Sequence, residues 1–282
     1  MSQKFQARRD AFREMHRSGC FVIPNPWDAG SAKYLATLGF KALATTSGGY
    51  AWSQGRSDGA VPRELVLQYL RTIVDATELP VNADFEAGYA ATPEGVAESV
   101  RMAVETGVAG LSIEDSTHDE KKPLRDIDDA VKRMRAARAA IDEGRTRTLL
   151  VGRAENFIAN RPDLDDTIKR LKAYSEAGAD CLYAPGIRTR EQIVAVVAGV
   201  APQPLNLLVG SASNLTLQEI AALGVRRVSV GGALARSAWG GFMQAARLIA
   251  EQGKFDGFAN AASGNELNSF FRDDVKKRGS QS

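Results

Sequence analysis

The stretch VNADFEAGY at residues 81–89 places two acidic residues directly after a short apolar run. Its first residues favour a buried, extended conformation, whereas Asp84 and Glu86 carry charge at neutral pH. Two carboxylates at the end of a buried strand can form a metal site, act as an acid/base pair or belong to a solvated turn. The side chains that the rest of the chain brings to the same place must decide between these interpretations.

The composition indicates a globular protein that binds a small molecule. The chain has 282 residues, of which 44% are hydrophobic, and its 36 basic and 34 acidic residues give a formal net charge of +2. This balance disfavours nucleic acid or a membrane as partner. Cys20 and Cys181 are too few for a disulfide framework or a cysteine-rich zinc site. The sequence shows no apolar signal core and no run of about 18 apolar residues, so we expect a cytoplasmic protein.

Eight short apolar runs alternate with longer segments of helical spacing, which is typical of βα units around a buried parallel sheet. The predicted strands are Cys20–Ile23, Ala42–Thr45, Pro80–Ala83, Gly110–Glu114, Leu149–Arg153, Cys181–Ala184, Leu205–Leu208 and Arg227–Val230. Amphipathic helices are predicted between them, for example at Thr92–Thr106, Asp126–Glu143, Leu164–Ala177 and Ala233–Gln252. Glycines that follow several helical runs are placed as helix-ending residues in the left-handed conformation.

Eight such units in about 250 residues match the length of a (β/α)8 barrel. We therefore predict an α/β fold with one TIM-type barrel domain over residues 1–282, its barrel at about residues 19–252. A C-terminal helical segment follows at about residues 255–282. The alternative is an open doubly wound sheet. The absence of a G-x-G-x-x-G loop after an early strand disfavours only the nucleotide-binding form of that alternative.

Residues suited to binding or catalysis lie at or just after the ends of four predicted strands, at the barrel face where catalytic residues lie in this fold. In chain order they are Ser47, Gly48 and Gly49, then Asp84 and Glu86, then Glu114 and Asp115, then Arg153, Glu155 and Asn156. Taken singly, an acid after a strand is more often a helix cap or a turn residue. Together, an arginine and up to five carboxylates suit a hard divalent cation such as Mg²⁺ and a substrate carboxylate. Such a set of groups suits enolate chemistry.

Other reactive side chains give weaker signals. His16 and His118 do not read as a zinc pair, and His118 lies in a polar segment, STHDEKKPLRD. Cys181 is interpreted as a buried strand thiol. Lys121 and Lys122 are interpreted as a solvated loop pair.

With these residues in view, the chain resembles the isocitrate lyase and phosphoenolpyruvate mutase superfamily over nearly its whole length. The motifs that carry the resemblance are NPWDAGSAKYLATLGFKALATTSGG, GRSDG, NADFEAGY, GLSIEDS, VGRAEN, GADCLYAPG and GVRRVSVGG. The resemblance implies an (α/β)8 barrel in a homo-oligomer, a tetramer or a dimer, whose last barrel helix is exchanged between neighbouring subunits. It also implies cleavage or formation of C–C or C–P bonds next to a 2-oxo acid, through an Mg²⁺-bound enolate.

The resemblance also implies roles for individual residues. Substrate binding falls to Ser47, Gly48, Gly49, Asn82 and Arg153, catalysis to Asp58, Arg153 and Glu114, and the metal, Mg²⁺ or Mn²⁺, to Asp84, Glu114 and Glu86. Asp58 would lie on a mobile lid that closes over the substrate. Arg153 would bind the substrate carboxylate.

Two departures from the family pattern limit the choice of reaction. Asn82 stands where the family often carries a first aspartate, and Glu86 stands where a glycine is common. The segment DSTHDEKKPLRD lacks the cysteine of the K-[KR]-C-G-H loop of isocitrate and methylisocitrate lyases, which argues against both activities. We therefore predict a lyase or decarboxylase of a small 2-oxo or 2-hydroxy dicarboxylic acid. The alternatives are a phosphonopyruvate or phosphoenolpyruvate mutase or hydrolase, and a non-catalytic 2-oxo acid binding protein.

Overall fold

A sheet of eight parallel strands forms the centre of the computed structural model, which describes residues 3–279. The strands are β1 (Phe21–Ile23), β2 (Leu43–Ala44), β3 (Val81–Asp84), β4 (Gly110–Glu114), β5 (Leu149–Arg153), β6 (Cys181–Tyr183), β7 (Leu205–Leu208) and β8 (Arg227–Ser229). Their order is β1-β8-β7-β6-β5-β4-β3-β2. The N–H of Ala44 donates to the carbonyl of Pro24 at 3.1 Å and so links the two ends of the sheet. The predicted (β/α)8 barrel is confirmed, and the open sheet is excluded.

Helices alternate with the strands as predicted. They are α1 (Gln3–Met15), α2 (Ala29–Thr37), α3 (Ser47–Ser53), α4 (Arg63–Ala76), α5 (Pro93–Glu105), α6 (Ile127–Glu143), α7 (Leu164–Glu176), α8 (Arg190–Val200), α9 (Leu217–Ala222), α10 (Ala233–Gln252) and α11 (Gly264–Gly279). The start of α5 shows how local sequence fixes where a helix begins. The Thr92 side chain accepts a hydrogen bond from the N–H of Gly95, and Pro93 is the first residue of the helix. After α5, Gly107 has φ +93°, and a Cβ there would lie 2.6 Å from the Phe5 ring.

An apolar cluster fills part of the barrel interior, and α1 packs against it. Phe12 of α1 is fully buried there, in one cluster with Leu149, Val151 and Cys181. The guanidinium of Arg9, also on α1, donates to the carbonyl of Val108 at 3.0 Å. Helix α1 therefore closes one end of the barrel, and the charged side chains that end β3, β4 and β5 lie at the other end.

The chain divides into two compact units, of which the first ends at Ala233 and the second begins at Leu234. The second contains nearly all of α10, a 3₁₀ helix at Asp256–Phe258, and α11. The predicted C-terminal helical segment is thus observed, except that residues 280–282 lie outside the described residues. Between residues 3 and 279, no helix has the length and apolar character that crossing a membrane requires.

Candidate active site

The ends of three adjacent strands bring their charged side chains to one mouth of the barrel. Glu114 of β4 and Arg153 of β5 are neighbours in the sheet, and β3 pairs with β4 on the other side. Nη1 of Arg153 lies 3.0 Å from Oδ1 of Asp84 and 3.1 Å from Oε2 of Glu114. Its Nε donates to Oε1 of Glu155 at 2.5 Å. One guanidinium therefore pairs with three carboxylates, and we call these four residues the Arg153 cluster.

The Arg153 cluster carries more negative than positive charge in a poorly solvated place. Burial by itself acts to lower the pKa of Arg153, but Glu155, Glu114 and Asp84 outweigh it and raise that pKa. Burial raises the pKa of Glu114 and that of Glu155, although Arg153 acts in the opposite direction on both. Additional positive charge at the mouth would therefore be stabilised.

Glu86, Tyr89 and His118 form a second group beside the cluster. The Tyr89 hydroxyl donates to Oε1 of Glu86 at 2.6 Å, and Nε2 of His118 lies 3.7 Å from Oε2 of Glu86. Nε2 of His118 also lies 3.9 Å from Oε1 of Glu114. Burial, with a smaller effect of the Asp84 charge, raises the pKa of Glu86 to about 7. His118 was not predicted to be a site residue, and the structure places it at the mouth.

The backbone at this second group is strained. Glu86, Tyr89 and His118 have φ angles of +44°, +53° and +59°, in the region that non-glycine residues rarely adopt. Such conformations persist where the surroundings enforce them. Here Arg133 of α6 donates to the carbonyls of Ala90 and Ala91 and so holds the end of the loop that carries Glu86.

Asp58 lies on the segment between α3 and α4, next to the start of α3. Its carboxylate lies near the Ser47 side chain, and a Cβ on Gly48 would lie 3.1 Å from its Oδ2. Gly59 follows, and a Cβ there would lie 3.3 Å from Nδ1 of His118. Although Asp58 is solvent-accessible, desolvation by the surrounding atoms and then the Asp84 charge raise its pKa. The segment thus reaches the loops after β2 and β4.

Ser47, Gly48 and Gly49 lie at the first turn of α3. The N–H of Ser47 donates to Oδ2 of Asp84 at 3.1 Å, so both oxygens of Asp84 have protein partners. The N–H of Gly49 donates to the Thr46 side chain at 3.2 Å, which caps the helix. The structure therefore brings Ser47 and Gly48 together with Asp84 and Asp58. Their contacts with a substrate stay a prediction.

Asn82 lies two residues before Asp84 on β3 and is only 4% exposed. Its Oδ1 lies 3.5 Å from Nη1 of Arg227, and its Nδ2 donates to the carbonyl of Ala83 at 3.1 Å. A Cβ on Gly110 would lie 2.7 Å from the same Oδ1. The amide thus has partners inside the barrel, and its predicted contact with substrate stays a prediction.

Asp115 does not face the mouth but holds a residue of the Arg153 cluster in place. It is 1% exposed and accepts hydrogen bonds from the Tyr174 hydroxyl at 2.6 Å and from Nη1 of Arg170 at 3.0 Å. It also accepts from the N–H of Glu155 at 2.9 Å, which holds that residue beside Arg153. Because consecutive strand residues point to opposite faces, Asp115 turns away from Glu114. That alternation was the signal by which the sequence could have separated these two acids.

The carboxylates at the mouth have the chemistry of a magnesium site. Among residues 3–279, no three His, Cys, Asp or Glu side chains converge on a common metal position. Instead, Asp84 and Glu114 both direct an oxygen to Arg153. The available donors are nevertheless hard carboxylate oxygens with an excess of negative charge, which are the ligands that Mg²⁺ prefers together with water. The residues therefore fit Mg²⁺ by chemistry and charge.

The fold and the site define a class of barrel enzymes whose polar mouth suits small anionic substrates. The family model described as phosphoenolpyruvate phosphomutase matches residues 12–250, and the chain belongs to this family. The relatives include lyases and mutases of the isocitrate lyase and phosphoenolpyruvate mutase superfamily. The predicted membership of that superfamily, as an enzyme, is thereby confirmed.

Similar proteins cover most of the chain. Oxaloacetate decarboxylase of Bradyrhizobium diazoefficiens is 32% identical over 239 residues, which span 76% of this chain and 79% of that protein. A Burkholderia cenocepacia J2315 protein, provisionally assigned to the lyases or mutases, is 46% identical with TM-score 0.91 and covers 96% of this chain and 97% of its own. Oxaloacetate acetylhydrolase in complex with its product oxalate is 26% identical, with TM-score 0.84 and 99% coverage of both chains.

Proposed function

We propose that the protein is a lyase or decarboxylase of a small 2-oxo or 2-hydroxy dicarboxylic acid and that it acts through a pyruvate-like enolate. The observation that carries this proposal is the Arg153 cluster, in which one guanidinium lies among carboxylates from adjacent strand ends. A substrate of this class has a carboxylate that the arginine can bind. Cleavage of its bond leaves negative charge on the enolate, and a cation bound at the mouth would stabilise that charge.

Arg153 retains a donor for a substrate. Its Nε and Nη1 contact the three carboxylates, whereas no acceptor among residues 3–279 occupies Nη2. The side chain is 16% exposed, so part of the guanidinium reaches the mouth. We propose that Nη2 of Arg153 donates to the substrate carboxylate.

Asp84 and Glu114, with Glu86 beside them, would hold Mg²⁺ or Mn²⁺, partly through water. When bound, such an ion supplies positive charge that stabilises an enolate oxygen. The segment around Asp58 would act as the lid and exclude water from the reacting carbons. Its contact with Gly48 supports this role, because the glycine lets the Asp58 carboxylate approach the start of α3 closely.

A substrate panel tests the proposal. Pyruvate formation would be followed with oxaloacetate, malate derivatives and phosphonopyruvate, each with and without Mg²⁺. The proposal requires Mg²⁺-stimulated turnover of a dicarboxylic acid. Turnover of phosphonopyruvate alone would contradict it, and so would a complete lack of turnover combined with an increase of the melting temperature by a 2-oxo acid.

The remaining predictions about the cellular context are also proposals. We propose a cytoplasmic homo-oligomer, a dimer or a tetramer, with a small-molecule substrate as its partner. Large apolar side chains exposed in the second unit support the oligomer, among them Phe242 at 61% and Phe255 at 64% exposure. Exchange of the last barrel helix between subunits is part of this proposal.

A further inference from the structure

A tyrosine ring lies against the guanidinium of the Arg153 cluster. Tyr183 of β6 pairs with Arg153 in the sheet, and Cζ of Arg153 lies 5.2 Å from the centre of the Tyr183 ring. This geometry is that of a cation–π contact. Burial raises the pKa of Tyr183 to about 12, so its hydroxyl stays neutral at physiological pH.

A line of buried polar side chains continues from Tyr183 into the barrel. Its hydroxyl lies near the side chain of Ser229 on β8, which acts to lower the pKa of Tyr183 against the larger effect of burial. Oγ of Ser229 accepts from Nδ2 of Asn206 at 2.9 Å, and Oδ1 of Asn206 accepts from Nε of Arg227 at 2.8 Å. Ser229, Asn206 and Arg227 are 6%, 1% and 2% exposed. We call Tyr183, Ser229, Asn206 and Arg227 the support chain.

The support chain ends in a buried cation with neutral partners. Besides Asn206, Arg227 contacts Nε2 of His16 at 3.3 Å and Oδ1 of Asn82 at 3.5 Å. Among residues 3–279, no carboxylate forms an ion pair with it. A guanidinium buried in this way is costly, so its partners are held tightly in the orientations that solvate it. Asn206 in particular must present its oxygen to Arg227 and therefore its NH₂ group to Ser229.

We propose that the support chain positions Arg153 for substrate binding. The three carboxylates engage the Nε and Nη1 side of the guanidinium, and the Tyr183 ring covers it from β6. The hydroxyl end of the ring lies beside Ser229, whose Oγ is held by Asn206 and, through it, by Arg227, so the ring is packed in one position. Nη2 is thereby held towards the mouth. This inference rests on the proposed role of Arg153, and Tyr183 is a positioning residue in it.

The test compares Tyr183→Leu, Tyr183→Phe and Ser229→Ala with the wild type. Two quantities are measured in the full chain with Mg²⁺: the Kd for oxalate, and the Nε–H resonance of Arg153 in arginine-labelled protein, assigned through Arg153→Lys. Loss of the ring should raise the oxalate Kd roughly three- to thirty-fold. It should also broaden the Arg153 resonance and speed its exchange with water. Tyr183→Phe and Ser229→Ala should give smaller changes in the same direction.

The matched control is Phe5→Leu, which makes the same kind of change where α1 packs against Gly107 after α5. It should leave both readouts as in the wild type. An unchanged Kd and resonance in Tyr183→Leu would overturn the inference. If that variant does not fold, Tyr183→Phe and Ser229→Ala test the inference in its place. An unchanged Kd and an unchanged Arg153 resonance in both variants would then overturn it. If the wild type itself does not bind oxalate, the proposed function fails, whereas the Arg153 resonance still tests the positioning.

Discussion

Arg153 offsets part of the negative charge of the mouth, and the two sides of its guanidinium have different roles. Its Nε and Nη1 hold three carboxylates that are otherwise poorly solvated, since Glu114 and Glu155 are each 6% exposed at the side chain. Its Nη2 is directed to no protein acceptor among residues 3–279. Complete removal of the side chain therefore tests stability and binding at once, whereas a change that keeps the charge separates them.

Arg153→Lys should weaken oxalate binding roughly 10- to 100-fold, because lysine keeps the charge but cannot contact the carboxylates and the ligand together. Its melting temperature should stay close to that of the wild type. Arg153→Ala should in addition cost roughly 3–5 kcal/mol of unfolding free energy, because it leaves buried carboxylates without their cation. Calorimetric titration and thermal unfolding measure the two effects. Arg135→Lys, at an exposed site on α6, is the control, and equal oxalate affinity in both lysine variants would refute the role.

His16 should make stability depend on pH. Burial and then the charge of Arg227 lower its pKa to about 3, while its Nδ1–H donates to the carbonyl of Phe12 at 2.7 Å. Below pH ~6.5 the unfolded chain binds a proton at this residue and the folded protein does not, so stability falls as pH decreases towards 3. Relative to His16→Gln, the wild type should lose up to about 1.4 kcal/mol per pH unit in urea unfolding between pH 6 and 4. If the unfolding free energies of the wild type and His16→Gln changed equally with pH, the lowered pKa of His16 would be contradicted.

At the scale of elements, the apolar cluster packed against α1 and the side chains of the candidate site lie at opposite ends of the barrel. Helix α1 closes the amino-terminal end with Phe12, whereas the loops after β2 to β5 carry Asp58, Glu86, His118 and Glu155. The site loops are held by polar contacts from neighbouring helices, such as Arg133 of α6 to Ala90. Damage at the closed end should therefore lower stability and leave the geometry of the mouth intact.

Phe12→Ala should destabilise the protein by roughly 3–5 kcal/mol, because it removes a fully buried ring and leaves a cavity. Chemical unfolding gives this value. The folded fraction should bind oxalate with the affinity of the wild type. Phe12→Leu is the milder control, with a smaller loss of stability. A marked loss of oxalate affinity in either variant would show that α1 also shapes the mouth.

At the scale of the whole molecule, the second unit exposes an unusual amount of apolar surface. Phe242, Phe255 and Val275 are 61%, 64% and 65% exposed. Side chains of this size are rarely left in water in such number, so a second copy of the chain is the expected cover. The first unit supplies the site residues described above.

Phe242→Asp should shift the protein to a smaller oligomer, because a charge would be buried in the proposed interface. Light scattering coupled to size-exclusion chromatography would show the change in mass. The control is Val194→Asp, because Val194 is an exposed apolar residue of α8 in the first unit. This change should leave the mass unaltered. A wild type that is already monomeric would remove the basis of the oligomer proposal.

Much of the fold was predictable from local patterns. Each predicted strand agrees with the observed one to within one residue at either end, and the helix predicted at Thr92–Thr106 is observed at Pro93–Glu105. The convergence of Asp84, Glu114 and Arg153 also followed from the sequence, because the carboxyl ends of parallel strands share one face. Such inferences succeed because alternation, capping and strand polarity act over a few residues.

The sequence by itself determined the barrel, the family resemblance and the residues that meet at the mouth. Only the tertiary structure decided that Asp115 supports Glu155, that His118 lies beside Glu86, and that Arg227 reaches Asn82 across the barrel. Those contacts join residues far apart in the chain, and their existence depends on side-chain direction and burial. Local sequence patterns carry no such information, because the cost of burying a charge is set by the groups that folding brings around it.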